Sequence, residues 1–128
     1  MTQARQLLLD THAFLWWKLD DVRLNEVVRT AIADAALVFV SAASAWEVAI
    51  KSRLGKIELN ADFANGIRSS GFERLSIGFE HAAETKHLPD HHRDPFDRML
   101  VAQARVERLT LVTHDRQLEP YDVDLLWI

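Results

Sequence analysis

The sequence contains no cysteine, only four glycines and three prolines, and no long apolar run. The missing thiols exclude disulfide bonds, thiolate metal sites and cysteine catalysis, which is compatible with a reducing cytosol. No apolar stretch approaches the roughly 20 residues that cross a membrane, and the amino-terminal residues lack the basic and apolar regions of a signal peptide. We therefore expect a cytoplasmic protein with no membrane contact.

The bulk composition predicts one globular domain spanning residues 1–128. Its 128 residues are 48% hydrophobic, which is enough to bury a core without covalent crosslinks. The formal charge of −4 is the opposite of what a general nucleic-acid binder shows. A bound divalent cation would reverse the local field, however, so net charge does not decide the substrate.

Apolar runs and helical patterns alternate along the chain. Strands are predicted at Leu7–Leu9, Leu37–Val40, Phe72–Ile77, Thr110–Val112 and Val123–Ile128. Helices are predicted at 13–18, 24–35, 43–54, 80–87 and 94–108, and from a cap at Asn60 or Asp62 to Ser69. Gly55 should end the helix that precedes it. This alternation predicts an α/β fold with a layered, mainly parallel sheet.

Two acids follow predicted buried strands. Asp10 comes directly after Leu7–Leu9, and Asp115 comes shortly after Thr110–Val112. The carboxyl ends of parallel strands form the functional edge of open α/β sheets. Each acid taken alone could be a turn residue or a helix cap, because aspartate is common in both positions. Together they predict a shared acidic cleft.

Two further acids lie near the starts of predicted helices. Asp97 shares a helix face with apolar residues, so its side chain should point toward the core. Glu47 lies at the edge of an apolar stripe formed by Ala43, Trp46, Ile50 and Leu54. Two simpler interpretations stay open: an exposed ion pair between Glu47 and Lys51, and a capping box between Asp97 and Asp94. Asp94 before Pro95 is explained as a helix cap, with a possible supporting role at a metal.

Four clustered carboxylates predict a metal centre of oxygen ligands. Such acids repel one another unless a cation binds, and Mg²⁺, or Mn²⁺ in its place, suits an all-oxygen set. A cation of this kind can activate water against a phosphate. The expected reaction is phosphodiester hydrolysis at a site made by Asp10, Glu47, Asp97 and Asp115.

Four segments, in this order, resemble the PIN-domain family and more closely its VapC-type toxins: LLLDTHAFLWW, SAASAWEVAIK, HRDPFDRMLVAQA and LVTHDRQL. The resemblance covers nearly the whole chain. It implies a three-layer α/β/α nuclease fold, Mg²⁺-dependent cleavage of RNA and neutralisation by a cognate antitoxin. With the Trp-rich segment, it also suggests a homodimer.

The family's four acids fall by position on the four carboxylates named above. The resemblance further implies that Thr113 and Ser41, polar residues at strand ends, position ligands or waters. It leaves open which of Asp94 and Asp97 lies closer to the metal, and helix facing favours Asp97.

Other residues give weaker signals. The six histidines lack a helical pair spaced for metal binding and do not predict a transition-metal site, and His12 and His114 are expected in surface or packing roles. Trp16 and Trp17 are expected in the core or a dimer interface rather than stacked on bases. Candidate cations for an RNA backbone are Lys51, Arg53, Lys56, Arg93, Arg98 and Arg116.

Two competing functions remain at this point. A phosphatase or phosphotransferase could use Asp10 as a nucleophile, but His12 stands where such enzymes carry a second acid. A catalytically silent partner-binding module could use the acids to recognise a basic side chain.

Overall fold

A computed structural model describes residues 5–56 and 63–128. In these residues five parallel strands form one sheet in the order β3-β2-β1-β4-β5. The strands are β1 (Gln6–Leu9), β2 (Leu37–Ser41), β3 (Glu73–Leu75), β4 (Thr110–Thr113) and β5 (Leu125–Trp127). The α-helices are α1 (Thr11–Lys18), α2 (Glu26–Asp34), α3 (Ala42–Arg53), α4 (Phe63–Ser69), α5 (Phe79–Thr85) and α6 (Pro95–Glu107). The predicted α/β class is confirmed.

Helices cover both faces of the sheet. Leu7 and Leu9 of β1 pack into an apolar cluster with residues of α1, α2 and α4. Leu8, between them, packs on the opposite face with residues of α3 and α6. All three leucines are fully buried, as expected for a central parallel strand covered on both sides. The fold is therefore the three-layer α/β/α arrangement that the resemblance implied.

Several predicted boundaries differ from the structure. The strands predicted at Phe72–Ile77 and Val123–Ile128 each shorten to three residues, because both lie at sheet edges with a single neighbour. The second helix begins later than predicted, since Asn25 caps it by accepting the Val28 N–H at 2.9 Å. Gly55 follows α3 with φ +72°, as predicted for the end of that helix. The predicted cap at Asn60 or Asp62 lies outside the described residues.

The predicted orientation of α3 is wrong. Trp46 and Leu54 of the predicted apolar stripe are 61% and 62% exposed. The helix instead buries a face of smaller and polar side chains, namely Ala43, Ser44, Glu47 and Val48. Small side chains allow α3 to lie close to α1 and α6, whereas Trp46 packs against Phe96 at the surface. Glu47 therefore lies inside the protein, not at the edge of a stripe.

The tryptophans of α1 contribute to the core, as predicted. Trp16 is buried within the cluster on the β1 face, and Trp17 packs against that cluster and against Phe72. Among the described helices, none combines the length and apolar character needed to cross a membrane.

Candidate metal centre

Asp10 and Asp115 meet at the carboxyl edge of the sheet. Strands β1 and β4 are parallel neighbours in which Leu9 pairs with Val112, and the Asp10 N–H continues the ladder by donating to the Val112 carbonyl at 3.0 Å. Asp115 then begins a short 3₁₀ helix, Arg116–Leu118. Adjacent parallel strands thus bring the two acids together, as their positions after apolar runs predicted.

Thr113 connects these two acids. Its hydroxyl donates to the Asp10 carboxylate, and its oxygen accepts the Asp115 N–H at 3.1 Å. Asp10 also caps α1 by accepting the Ala13 N–H at 2.7 Å. Burial raises the pKa of Asp10 above its ordinary value, although the hydrogen bonds from the Ala13 N–H and the Thr113 hydroxyl partly offset the rise. Thr113 therefore lies where a supporting residue was expected.

Asp97 enters the same cleft from the first turn of α6. Burial, followed by the negative charges of Asp94 and Asp10, raises the pKa of Asp97 to about 7, and nearby His92 offsets only part of this rise. Asp94 caps the helix by accepting the Phe96 N–H at 2.8 Å, as predicted, and it also lines the cleft. Asp94 and Asp97 thus both place a carboxyl group in the cleft, and the pKa of Asp97 is raised by this environment.

Glu47 is buried and fully hydrogen-bonded. The Thr11 hydroxyl donates to its Oε1 at 2.6 Å, and the Lys51 ammonium donates to its Oε2 at 2.6 Å. The predicted Glu47–Lys51 pair exists, but its acid is only 5% exposed and lines the cleft. The hydrogen bond to Glu47 raises the pKa of Lys51. Thr11 was not singled out in the sequence, although it directly follows Asp10.

Replacing Lys51 with methionine is expected to lower the free energy of unfolding by about 1 to 2 kcal/mol. The change leaves a buried carboxylate without its cation, and the effect is limited because the Lys51 side chain is 34% exposed and partly screened by water. Urea unfolding measures this effect. Arg53→Met, on an exposed side of α3, is the control and should change little. Equal stability of Lys51→Met and wild type would contradict the account.

The acids surround a cleft of about 150 Å³. Its lining consists of Asp10, Thr11, His12, Glu47, Lys51, Asp94, Asp97, His114 and Asp115. A larger cavity of about 610 Å³ lies beside β2, β3 and α4, and it has no carboxylate among its described lining residues. Of these two cavities, as their described lining residues define them, the smaller one is the candidate for chemistry, because it gathers ionisable groups with a perturbed pKa.

Ser41 lies away from this cleft. Its hydroxyl oxygen caps α3 by accepting the Ala43 N–H at 2.9 Å, and its hydroxyl donates to the buried Gln103 of α6. It lines the larger cavity instead. The structure thus places Ser41 outside the lining of the acidic cleft, and the supporting role that the resemblance implied for it stays a prediction. Ser41 joins α3 to α6, the helices that carry Glu47 and Asp97.

His92 is a second residue of the site, besides Thr11, that sequence reasoning missed. Its Nε2 lies 2.9 Å from Asp115 Oδ2 and 3.0 Å from Asp97 Oδ2. Among the described residues these three form a group that could hold a metal ion, with ligand-type atoms within 4.8 Å of one another. Looking for histidine pairs on helices could not find it, because His92 lies in the loop before α6. Its only sequence signal is its place two residues before the helix cap Asp94.

Arg98 is not available to an RNA backbone. Its guanidinium donates to the backbone carbonyls of Thr85, Leu88 and Pro89 at 2.8 to 3.2 Å, and to the Tyr121 hydroxyl at 3.2 Å. These bonds hold the loop between α5 and α6 against the body of the protein. Arg98 is thus a structural clamp, and the candidate role in RNA binding is wrong for this residue.

Replacing Arg98 with methionine is expected to destabilise the protein by about 2 kcal/mol, because several partly buried carbonyls lose their donor. Thermal unfolding measures the change. Arg93→Met, at an exposed position of the same loop, should behave as wild type. A loss of stability of equal size in both variants would show that the clamp is not specific to Arg98.

The residues of the cleft fit a hard divalent cation. Asp10, Asp97 and Asp115 supply carboxylate oxygens, and no thiol competes for the ion because the chain has no cysteine. Burial first, and then the negative charges of Asp94 and Asp10, disfavour the charged form of Asp97 and raise its pKa. A bound cation would offset both the burial of this charge and the neighbouring negative charges, which is the chemical reason for the fit.

Comparison with known proteins places this chain in a family. A profile of the PIN domain matches residues 7–123. The chain belongs to the PIN-domain family. This PIN domain is 30% identical over 118 residues to Ribonuclease VapC22 of Mycobacterium tuberculosis, covering 90% of the chain and 91% of that relative. The predicted resemblance is confirmed.

Solved structures share the fold of this PIN domain. One is VapBC2 of Rickettsia felis bound to a promoter DNA fragment, with a TM-score of 0.67, 11% identity and coverage of 94% of this chain and 97% of that one. Another is FitAcB of Neisseria gonorrhoeae, with a TM-score of 0.63, 22% identity and coverage of 94% and 96%. At these identities the likeness shows a common fold.

Proposed function

We propose that this PIN domain is a divalent-metal-dependent endoribonuclease and the toxin of a toxin–antitoxin pair, acting in the cytoplasm. The observation that carries the proposal is the meeting of Asp10, Asp97 and Asp115 with buried Glu47 in one cleft at the carboxyl edge of the sheet. The relative named Ribonuclease VapC22 supports the same reaction class. Crowded carboxylates at this edge suit metal-assisted phosphodiester hydrolysis better than they suit packing.

The four acids have two proposed roles. Asp10, Asp97 and Asp115 would hold Mg²⁺ or Mn²⁺, which would supply an activated water and stabilise charge on the scissile phosphate. Glu47 is assigned as the fourth carboxylate, held by Thr11 and Lys51. Because each of its oxygens accepts a hydrogen bond, the Glu47 carboxylate is held in one position beside the other three acids.

Lys51 is the proposed contact for a phosphate oxygen. It is the one lysine or arginine in the lining of the cleft as the described residues define it. Of the other candidate cations, Arg98 is used inside the protein and Arg116 lies over the ring of Trp127 at 4.1 Å. An ammonium beside the acids would draw the RNA backbone to the cleft despite the net negative charge.

Partner binding is proposed on the exposed apolar side of α3. Trp46, Ile50 and Leu54 are exposed there, and Phe96 packs edge-on against Trp46 with ring centroids 5.3 Å apart. Large apolar patches are rare on the surfaces of monomeric proteins, and where they are exposed they often mark a protein interface. We propose that a cognate antitoxin binds this protein and that a second copy of the chain pairs with it as a homodimer. Toxin–antitoxin complexes among the solved structures of this fold support the antitoxin.

Cleavage of a pool of mixed structured RNAs tests the proposed function. Purified, partner-free protein is incubated with Mg²⁺ or with EDTA, beside Asp97→Asn prepared identically to exclude a contaminating ribonuclease. Cleavage should require the cation and disappear in the variant. Absence of cleavage by folded protein across Mg²⁺ and Mn²⁺ concentrations would contradict a general ribonuclease.

The same preparations test the two alternative functions. Hydrolysis of p-nitrophenyl phosphate without RNA cleavage would favour a phosphatase. We do not expect that outcome, because His12 in the first turn of α1 stands where such enzymes carry a second acid. A partner-binding module would lose its partner in Asp97→Asn, whereas a nuclease would keep most of that binding while losing turnover.

A further inference from the structure

His92 is held in place at its backbone. Its N–H donates to the Tyr121 hydroxyl at 3.0 Å, and its carbonyl accepts from Arg98 at 3.4 Å. Arg98 also contacts the same Tyr121 hydroxyl. The His92 side chain is only 13% exposed, so the loop presents a fixed imidazole to the cleft. A side chain anchored in this way is preorganised for a specific contact.

The contacts of the imidazole turn Nε2 toward the carboxylates and Nδ1 toward the backbone of Asp94. Nδ1 lies 3.4 Å from the Asp94 N–H, which suits an acceptor at Nδ1 and a hydrogen on Nε2. Nε2–H then donates to Asp115 Oδ2 at 2.9 Å, and the same nitrogen lies 3.0 Å from Asp97 Oδ2. A nitrogen that carries a hydrogen has no lone pair for a metal. In this arrangement the imidazole is therefore a donor to the carboxylates and not a metal ligand.

We propose that His92 is a positioning residue that fixes the carboxylates of Asp97 and Asp115 for cation binding. This inference rests on the proposed function. The Asp115 carboxylate is fixed twice, since its Oδ1 accepts the Gln117 N–H at 3.0 Å. Each carboxylate oxygen keeps a second lone pair for the cation. Outer-shell hydrogen bonds of this kind orient ligands, and losing one typically costs about 10- to 100-fold in metal affinity.

Isothermal titration with Mn²⁺ and Mg²⁺ tests the role of His92. His92→Ala should bind both ions about 10- to 100-fold more weakly than wild type. His92→Gln, which keeps an N–H donor, should recover part of that loss. His91→Ala is the matched control: His91 is the adjacent residue, it is exposed, and its ring packs on Tyr121 with centroids 5.3 Å apart. It should bind as wild type does.

Pulsed electron paramagnetic resonance of bound Mn²⁺ separates positioning from direct ligation. The wild-type spectrum should lack the strong ¹⁴N coupling of a coordinated imidazole. That coupling, if present in wild type and lost in His92→Ala, would overturn the proposal. So would tighter or unchanged binding by His92→Ala, since it would make His92 a competitor or a bystander. Failure of wild type to bind either ion would instead refute the proposed metal dependence itself.

Discussion

Replacing Asp97 with asparagine is expected to stabilise the metal-free protein at pH 8 by about 4 kcal/mol. The pKa of Asp97 rises from 3.8 in the unfolded chain to about 7 in the fold, chiefly through burial and the nearby Asp94 and Asp10. Each unit of difference corresponds to about 1.4 kcal/mol. Asparagine has no charge to bury, so the variant avoids this cost.

The sign of the pH dependence follows from proton binding. Between pH 3.8 and about 7 the folded state holds the Asp97 proton more tightly than the unfolded state does. Stability of the wild type should therefore fall as pH rises through this window, and the full penalty should remain above it. Asp97→Asn should show a shallower fall, with Asp10 contributing the remainder because its pKa is also raised.

Urea unfolding in EDTA at several pH values measures this effect. Asp34→Asn is the control, because Asp34 is exposed. It lies at the end of α2, near the amino end of β2, whereas the cleft lies at the carboxyl ends of the strands. Adding Mg²⁺ should stabilise the wild type more than Asp97→Asn, since binding to the folded state alone shifts the equilibrium. A wild type and an Asp97→Asn variant with the same pH profile would contradict the raised pKa of Asp97 in the folded protein.

Replacing Asp10 with asparagine is expected to reduce RNA cleavage by about 10²- to 10³-fold or more. The amide cannot supply the anionic oxygen that a divalent cation needs. The fold should survive, because asparagine is as good a helix cap as aspartate and can still accept the Ala13 N–H. Loss of activity would then reflect the site and not unfolding.

Initial rates of cleavage and thermal unfolding, measured on the same preparations, check this expectation. Asp34→Asn again serves as the control and should retain wild-type rates. Wild-type cleavage by Asp10→Asn would exclude Asp10 from the metal centre. A melting temperature lowered by many degrees would mean that Asp10 acts mainly as the cap of α1.

The sequence was most informative where one local pattern had one structural solution. The apolar run Leu7–Leu9 is long enough only for a strand, and Asp94 before Pro95 combines a cap with the residue that best begins a helix. Parallel strands then bring Asp10 and Asp115 to one edge. Those elements led to the correct fold and to most of the cleft.

The sequence was least informative where contacts between distant segments decide the outcome. Periodicity on α3 predicted that an apolar stripe with Trp46 would be buried. Instead, the helix packs on the sheet and on α6 through the face with smaller side chains, which contains Glu47. The loop conformation that aims His92 at Asp97 depends on Arg98 and Tyr121. A single sequence does not reveal that these residues meet.

Anomalous diffraction from crystals grown with Mn²⁺ tests the central claim most directly. We expect a strong anomalous peak in the cleft, in contact with carboxylate oxygens of Asp10, Asp97 and Asp115. Crystals of Asp97→Asn grown in the same solution should lose or weaken that peak. A peak at another place, or none in the cleft at millimolar Mn²⁺, would contradict the assignment of these acids to a metal centre.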